Sequence, residues 1–336
     1  CSLKKTYVST LDYALHVFMR YRERRGTGDA VRQCRDHLAG DFLVMNGDDL
    51  YAADDLAAVA ARPHTALAQR VPDPRRLGVY EVGAENRVVR LVEKPAVPPS
   101  DLANIGVYHF DREIFDVIDS LNISERGEIE ITAAVQARAD DAGFWVVEAT
   151  GPWLSIGYAW DLLSVNMHLL ENHITPRIEG EVHAGAHLSG LVSIGRGTRV
   201  RPGTVIDGPV LVGDDCEIGP NCWLRPGTTL GRGCKVGEAS EIKNAILFEG
   251  AKVPHLSYVG DSILGEGVNF GCGTITANYR HDGGNHRSMI KGQLVDTGLR
   301  KLGAIVGDHV HGHQYQHLPR PQTLATHEHA ARSNRQ

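Results

Sequence analysis

Twelve positions spaced six residues apart carry an aliphatic residue or Phe without a break: Val182, Leu188, Ile194, Val200, Ile206, Val212, Ile218, Leu224, Leu230, Val236, Ile242 and Phe248. If such residues fill about a third of positions, twelve in phase arise by chance on the order of once in a few hundred thousand trials, so this stretch reads as a hexapeptide solenoid. Gly follows the apolar residue at positions 195, 213, 219, 231 and 237, where a corner asks for backbone freedom that a side chain denies. Each hexad is then one short strand plus one turn. Three hexads close a triangular coil, and the inward aliphatics stack into a column.

The chain of 336 residues has room for two domains. Charged residues make up 23%, no apolar run reaches bilayer length, and no N-terminal segment pairs a basic start with a hydrophobic stretch. The expectation is a cytoplasmic protein with no membrane partner. A net charge of −6 argues against a nucleic-acid partner, which favours a basic face, so any phosphate must be held by a few placed cations. The six Cys contain no C-x-x-C pair, against a zinc ribbon or a disulfide framework. Cys216 and Cys234 are eighteen apart, one coil above another, and read as reduced residues of the core column.

Three pieces follow in order. Residues 1–172 read as mixed α/β, with apolar runs at Phe42 to Met45 and Val88 to Val92, a helical stretch at Asp54 to Ala61, and a linker helix over 159–172 ahead of Pro176. The solenoid covers 177–311. From 312 to 336 the hexads are absent and the composition turns to His, Gln, Pro and Arg.

In the first piece, the run from Phe42 to Asp49 (FLVMNGDD) ends an apolar strand on carboxylates. That is where open α/β sheets bind ligands and where Mg²⁺ finds a hard oxygen; Asn-Gly is equally at home in a plain strand-ending turn. Four further fragments follow a recognisable order: Gly26 to Ala30 (GTGDA), Leu91 to Pro95 (LVEKP), Ala103 to Phe110 (ANIGVYHF) and Gly127 to Thr132 (GEIEIT). Together these resemble the sugar-1-phosphate nucleotidylyltransferases over about 26–170, a partial Rossmann-like nucleotidyltransferase domain. The resemblance implies base and sugar contacts from Gly26 and Thr27, a Mg²⁺ ligand at Asp48, and a substrate-backbone contact at Gly78. It further implies sugar contacts from Glu93 and Asn104 and a phosphate-facing Lys94. Such residue types suit the chemistry, since sugar hydroxyls need carboxylate and amide partners and a passing phosphoryl group needs cations. A glycine-rich loop of the kind G-x-G-T-R-x-x-P is not found, and Leu15, Val17, Met19 and Tyr21 are the residues available for a strand leading into Gly26. Ser155 stands where the family usually has Asp or Asn as a second metal ligand. The nucleotidyl-transfer half is therefore expected to be truncated and silent.

Denser motifs lie in the solenoid: Glu241 to Ala245 (EIKNA), Val253 to Asp261 (VPHLSYVGD) and Val268 to Tyr279 (VNFGCGTITANY). They resemble the acetyltransferase domain of the bifunctional glucosamine-1-phosphate acetyltransferase / N-acetylglucosamine-1-phosphate uridylyltransferases. The stretch Arg300 to Asp308 (RKLGAIVGD) resembles the archaeal branch. The resemblance implies a left-handed parallel β-helix that takes acetyl-CoA and an amino-sugar 1-phosphate, glucosamine or galactosamine, with a nucleoside triphosphate as the partner domain's substrate and a UDP- or dTDP-sugar as product. It implies His255 as general base, Arg225, Lys243 and Tyr258 as sugar-phosphate contacts, and Asn269, Asn278 and Tyr279 as positioning residues. Cys272 stands where the family has Ala. A homotrimer with sites between subunits is also implied, with Trp223 and Tyr258 as candidate interface residues.

Elementary chemistry agrees with these roles. An amino sugar is an ammonium ion at neutral pH and attacks a thioester only after losing a proton, which His can accept. The 1-phosphate is a dianion, suited to Lys and Arg converging from neighbouring coils. Two alternatives stand beside this reading: a glucose- or mannose-1-phosphate nucleotidylyltransferase with a structural solenoid, and an inactive fragment. The final 312–336 segment admits a His-rich metal tail (His309, His311, His313, His317, His327, His329). A frameshift fits better: codons for Gly312 to Arg320, read in another frame, can encode a hexad rung, so a non-native or disordered tail is expected.

Overall fold

The computed structural model describes residues 25–312, together with backbone strands at Thr6–Thr10 and Thr323–Leu324. The chain divides into two compact units, Cys1–Ser155 and Ile156–Gln336. The helix expected to close the first domain thus belongs to the second unit. Asn166 shows why: its amide donates to the Gly227 carbonyl at 2.9 Å and accepts from the Thr229 hydroxyl at 2.6 Å, while Trp160 and Leu163 pack with Ile246, Ile263 and Leu302.

The first unit contains strands β1 (Thr6–Thr10), β2 (Phe42–Asn46), β3 (Asp49–Leu50), β4 (Thr65–Arg70), β5 (Gly78–Val82), β6 (Val88–Glu93), β7 (Leu102–Phe110), β8 (Trp145–Glu148) and β9 (Leu154–Ser155). Its helices are α1 (Thr27–Arg32), α2 (Ala53–Ala60), α3 (Ile114–Ser120) and α4 (Ile131–Asp141). The main sheet runs β1-β2-β7-β4-β8, with β5 and β6 attached beside β7. Among the described residues of this sheet, only β4 and β8 pair in parallel. Period-two alternation explains the layering. Phe42, Val44, Ala66, Ala68, Tyr108 and Phe110 join α1, α3 and α4 in one core, while Leu43, Met45, Leu67, Ile105 and Val107 join α2 in the other. The central β7 is buried along its whole length, as a strand covered on both faces must be. Leu15, Val17, Met19 and Tyr21 lie outside the described residues.

In the second unit, short strands stack in parallel into three ribbons, forming a left-handed parallel β-helix that follows α5 (Asp161–Asn172). The column from Ile194 to Ile242 is fully buried, with Cys216 and Cys234 inside it as free thiols. Burying each such aliphatic contributes about 1.5–3 kcal/mol. Two expectations change. Phe248 is 45% exposed and Leu247 takes the inward place at 1%, because one residue is dropped at the corner after Ile242. Partners before it are eighteen apart, as in Leu224 with Ile242; those that span it are seventeen apart, as in Val236 with Val253. Among the five glycines that follow the column, Gly219 alone has a positive φ, 95°. Elsewhere the constraint is close approach: a Cβ on Gly237 would stand 1.7 Å from the Pro254 carbonyl oxygen.

Beyond 312 the expected tail, with His313, His317, His327 and His329, lies outside the described residues except for one strand. Thr323–Leu324 runs parallel to Ile305–Val306 at the eighteen-residue coil spacing.

Candidate functional site

One ribbon of the solenoid carries Trp223–Leu224, Glu241–Lys243 and Tyr258–Gly260 in register. On this ribbon the period fails at the corners that follow the last two of these strands. Six residues separate Leu224 from Leu230, but five separate Ile242 from Leu247 and Val259 from Leu264. After Ile275, bridged to Tyr258, the chain makes a long excursion before Ile305–Val306 pairs with Ile263–Leu264. The excursion contains an antiparallel hairpin, Arg287–Ile290 with Gln293–Asp296. Tightened corners place Asn244 and Asp261 in left-handed conformation, with φ of 44° and 49°, which Asn and Asp tolerate better than other side chains.

Four expected site residues meet at this corner. Arg225 donates to the Glu241 carboxylate at 2.6 Å and lies over the Trp223 ring at 4.6 Å. Lys243 Nζ stands 3.4 Å from Asp261 Oδ2. The Asn278 amide donates to Asp261 Oδ2 at 2.5 Å and lies 3.0 Å from the Tyr258 hydroxyl. Burial pushes the Tyr258 phenol above its ordinary value of 10, against the pull of the Asn278 hydrogen bond, and the Asp261 and Glu241 carboxylates add to the rise. The hydroxyl therefore stays protonated. Gly260 makes the crossing possible, since a Cβ there would lie 2.3 Å from the Tyr258 hydroxyl oxygen and 2.6 Å from Asn278 Nδ2.

The other three lie nearby in sequence but are not tied into this cluster among the described residues. His255 ends the strand Lys252–His255 on the adjoining ribbon, exposed, three residues before Tyr258. The Gly273 amide donates to its carbonyl at 3.3 Å, which sets exposed Cys272 beside it on the next coil. Asn269 pairs in register with Lys252 and His311. Tyr279 opens the excursion, half exposed, in an antiparallel bridge with Lys301. Glu241, Asn244 and Asp261 were not anticipated; the loss of phase after Ile242 is the signal that marks them.

In the first unit the motif residues form three neighbouring groups. Gly26 and Thr27 begin α1 against the Gly127 to Thr132 motif: the Ile131 amide donates to the Thr27 hydroxyl at 3.1 Å, and a Cβ on Gly26 would meet the Ile129 carbonyl oxygen at 2.4 Å. Gly78, Glu93 and Asn104 converge, with Asn104 Cβ and Glu93 Oε2 each 3.3 Å from where a Gly78 Cβ would sit. Asn104 is held from inside, donating to Tyr108 at 2.6 Å and accepting from Tyr80 at 3.2 Å. Lys94 Nζ stands 3.5 Å from Glu93, and Arg126, also unanticipated, reaches both Glu93 at 3.5 Å and Glu130 at 2.5 Å. Asp48 is exposed in the turn after β2. Its neighbour Asp49 accepts from Asn46 and Tyr51 and pairs in the ladder with Ser155.

Among the described residues no group of three His, Cys, Asp or Glu is arranged to hold a metal. Mg²⁺ does not require one, since one or two carboxylates plus substrate phosphate and water suffice. The exposed carboxylate of Asp48 fits that demand. Among the described residues no helix is long and apolar enough to cross a membrane.

Comparison with known proteins matches both halves. The nucleotidyl transferase family model covers residues 8–172, and that of the GMPPB C-terminal domain covers 206–319. A bifunctional sugar-1-phosphate nucleotidylyltransferase/acetyltransferase of Sulfurisphaera tokodaii is 37% identical over 85% of this chain and 71% of its own length. The bifunctional protein GlmU of Methanococcus aeolicus is 40% identical over 87% and 71%. A glucose-1-phosphate thymidylyltransferase of Streptomyces griseus is 34% identical over 72% and 69%. Relatives named as bifunctional match over most of the chain, and the chain belongs to the family of bifunctional sugar-1-phosphate nucleotidylyltransferase/acetyltransferases.

Proposed function

We propose that the solenoid unit moves the acetyl group of acetyl-CoA onto the nitrogen of an amino-sugar 1-phosphate, glucosamine or galactosamine. The observation that carries this reading is the gathering of Arg225, Lys243, Tyr258 and Asn278 along one ribbon beside its two shortened corners, a set of donors that a purely structural coil does not need. Arg225 and Lys243 take the phosphate dianion, loosening their hold on Glu241 and Asp261. His255 takes a first proton from the substrate ammonium and passes it to solvent; the freed amine attacks the thioester carbonyl carbon, and His255 takes the second proton from the nitrogen as the C–N bond forms. As the C–S bond breaks, the His255 imidazolium returns its proton to the departing thiolate. Asn269, Asn278 and Tyr279 position the sugar.

Exposed Leu256, Ile275 and Tyr279 beside the site support assembly as a homotrimer whose neighbouring subunit covers it. The first unit is read as a sugar-1-phosphate nucleotidylyltransferase domain, with Gly26 and Thr27 toward the base and sugar, Gly78, Glu93 and Asn104 toward the sugar, and Lys94 toward phosphate. Mg²⁺ at Asp48 would neutralise charge on the transferring phosphoryl group. The product of such a domain would be a UDP- or dTDP-sugar, and the compartment is the cytoplasm.

The GMPPB-type match over 206–319 favours a second reading, nucleotidyl transfer with a structural solenoid. Thiol release on mixing the protein with acetyl-CoA and glucosamine 1-phosphate or galactosamine 1-phosphate decides between them. Acetyl transfer to either sugar supports the first reading; pyrophosphate release from nucleoside triphosphate without any thiol release supports the second.

A further inference from the structure

The buried carboxylate of Asp261 stands at the centre of the corner without a role in the chemistry above. Its side chain is 4% exposed. Oδ1 accepts from Asn244 Nδ2 at 2.8 Å, Oδ2 accepts from Asn278 Nδ2 at 2.5 Å, and Lys243 Nζ lies 3.5 and 3.4 Å from the two oxygens. Its own backbone is locked into two coils, the amide donating to the Lys243 carbonyl at 2.9 Å and the carbonyl accepting from Gly303 at 2.8 Å. A carboxylate only accepts, so the group facing it must be the NH₂ of each amide.

We infer that Asp261 is a positioning residue that sets the hydrogen-bond polarity of the acetyltransferase site, an inference that rests on the acetyl-transfer reading. The NH₂ of Asn278 is spent on Asp261 and on the Tyr258 hydroxyl oxygen, so the amide turns its Oδ1 away from both and offers an acceptor to substrate. The Tyr258 oxygen receives a hydrogen from Asn278, leaving its own proton to be donated elsewhere. Lys243 is held at the same corner by the same carboxylate. An amino-sugar phosphate asks for this division: an acceptor for its ammonium or hydroxyl hydrogens, and donors for its phosphate. Without a fixed acceptor-only group behind it, the amide could flip and present NH₂ where the substrate also presents hydrogens.

Asp261→Asn tests this, because it keeps the shape and removes the acceptor-only character. Turnover of glucosamine 1-phosphate is expected to fall about tenfold or more, as for loss of one charged hydrogen bond, with KM for acetyl-CoA unchanged. The discriminating readout is a cycle with Asn278→Ala. If Asp261 acts through the amide, Asp261→Asn adds little to the loss already caused by Asn278→Ala; additive losses, or unchanged turnover in Asp261→Asn, overturn the inference. Should Asp261→Asn not fold, as judged by its melting transition, Asn278→Asp probes the same contact from the other side, keeping an acceptor oxygen while removing the NH₂. Calorimetric binding of glucosamine 1-phosphate weakened about tenfold supports the inference, and native affinity refutes it. If the unaltered chain transfers no acetyl group yet binds glucosamine 1-phosphate, the acetyl-transfer reading fails separately, and the binding cycle still judges Asp261.

Discussion

The two halves carry their candidate sites on opposite kinds of feature. In the solenoid the polar side chains gather where a strict repeat is interrupted: the five-residue corners at Lys243 to Ala245 and Gly260 to Ser262, and the excursion beyond Ile275. In the α/β unit no repeat exists to break, and several motif residues sit at strand ends and in the turns beyond them, Asp48 after β2, Glu93 and Lys94 at the end of β6 and Gly78 at the start of β5, while Asn104 lies within β7. A solenoid coil satisfies its own backbone and fills its own column, so side chains on its outer faces are free to vary; regular coils already pair polar groups across the step, as Ser189 with Asp207 and Lys235 with Glu217, and a change in corner length alters which groups meet. An open sheet leaves its strand ends unpaired by construction, and function collects there without any irregularity.

The sharpest way to break this comparison is to remove the proposed base. His255→Ala is expected to lower acetyl transfer about a hundredfold or more while leaving the melting transition unchanged, since the ring is exposed and makes no hydrogen bond to the described residues. Unchanged turnover would sink the assignment. A second variant tests the corner itself. A Gly inserted between Asn244 and Ala245 restores the six-residue spacing, so the solenoid should still fold, but Lys243 and Asn244 shift relative to Asp261. Acetyl transfer should fall on the order of tenfold to a hundredfold, as expected when a site is displaced by about 1 Å. Native activity in the insertion variant would mean that the broken period is incidental.

How legible this was in the sequence differs by region for physical reasons. The column from Ile194 to Ile242 could be read outright, because in a solenoid one residue in six meets the same environment coil after coil, and nine of these aliphatics, Ile194 through Ile242, are buried to 1% or less. The same periodicity misled at Phe248, where the count ran on through a corner that had lost a residue. Glu241, Asn244 and Asp261 were hidden because periodicity describes the inward face and says nothing of which outward groups face each other across coils. In the α/β unit, residue order identified the motifs, yet Asn104 proved to be held from within by Tyr108, four residues further along β7, and by Tyr80 of β5, the second a contact that residue order does not show. The helix over 161–172 changed units because Asn166 meets Thr229, sixty-three positions away.

The correction at the corner can be sharpened by stability alone. Leu247→Ala removes a buried column side chain and should cost about 3 kcal/mol, whereas Phe248→Ala, at an exposed position, should stay within about 1 kcal/mol. Denaturant titration of both variants checks the order. Equal losses would return Phe248 to the column and restore an unbroken repeat.

The smallest effect concerns acid. His286 on the excursion is 2% exposed, and its Nε2 lies 3.0 Å from the Asn278 carbonyl oxygen. Burial holds its pKa below the ordinary 6.5, against the raising effect of that carbonyl, and the Arg280 guanidinium lowers it further while Asp261 and Asp282 pull the other way. With the folded value depressed, the unfolded chain binds more protons as pH falls past 6.5, so this contribution to stability is complete above 6.5 and is lost as pH drops through the folded value. The segment bearing Asn278 is tied to His286 and should loosen with it. Melting followed from neutral pH down to about pH 5 should therefore fall more steeply for the native chain than for His286→Gln, which keeps a donor for the Asn278 carbonyl but cannot take up a proton. Parallel curves would show that the excursion holds the site together without sensing acid, and that the irregular half is no more pH-sensitive than the regular coils beneath it.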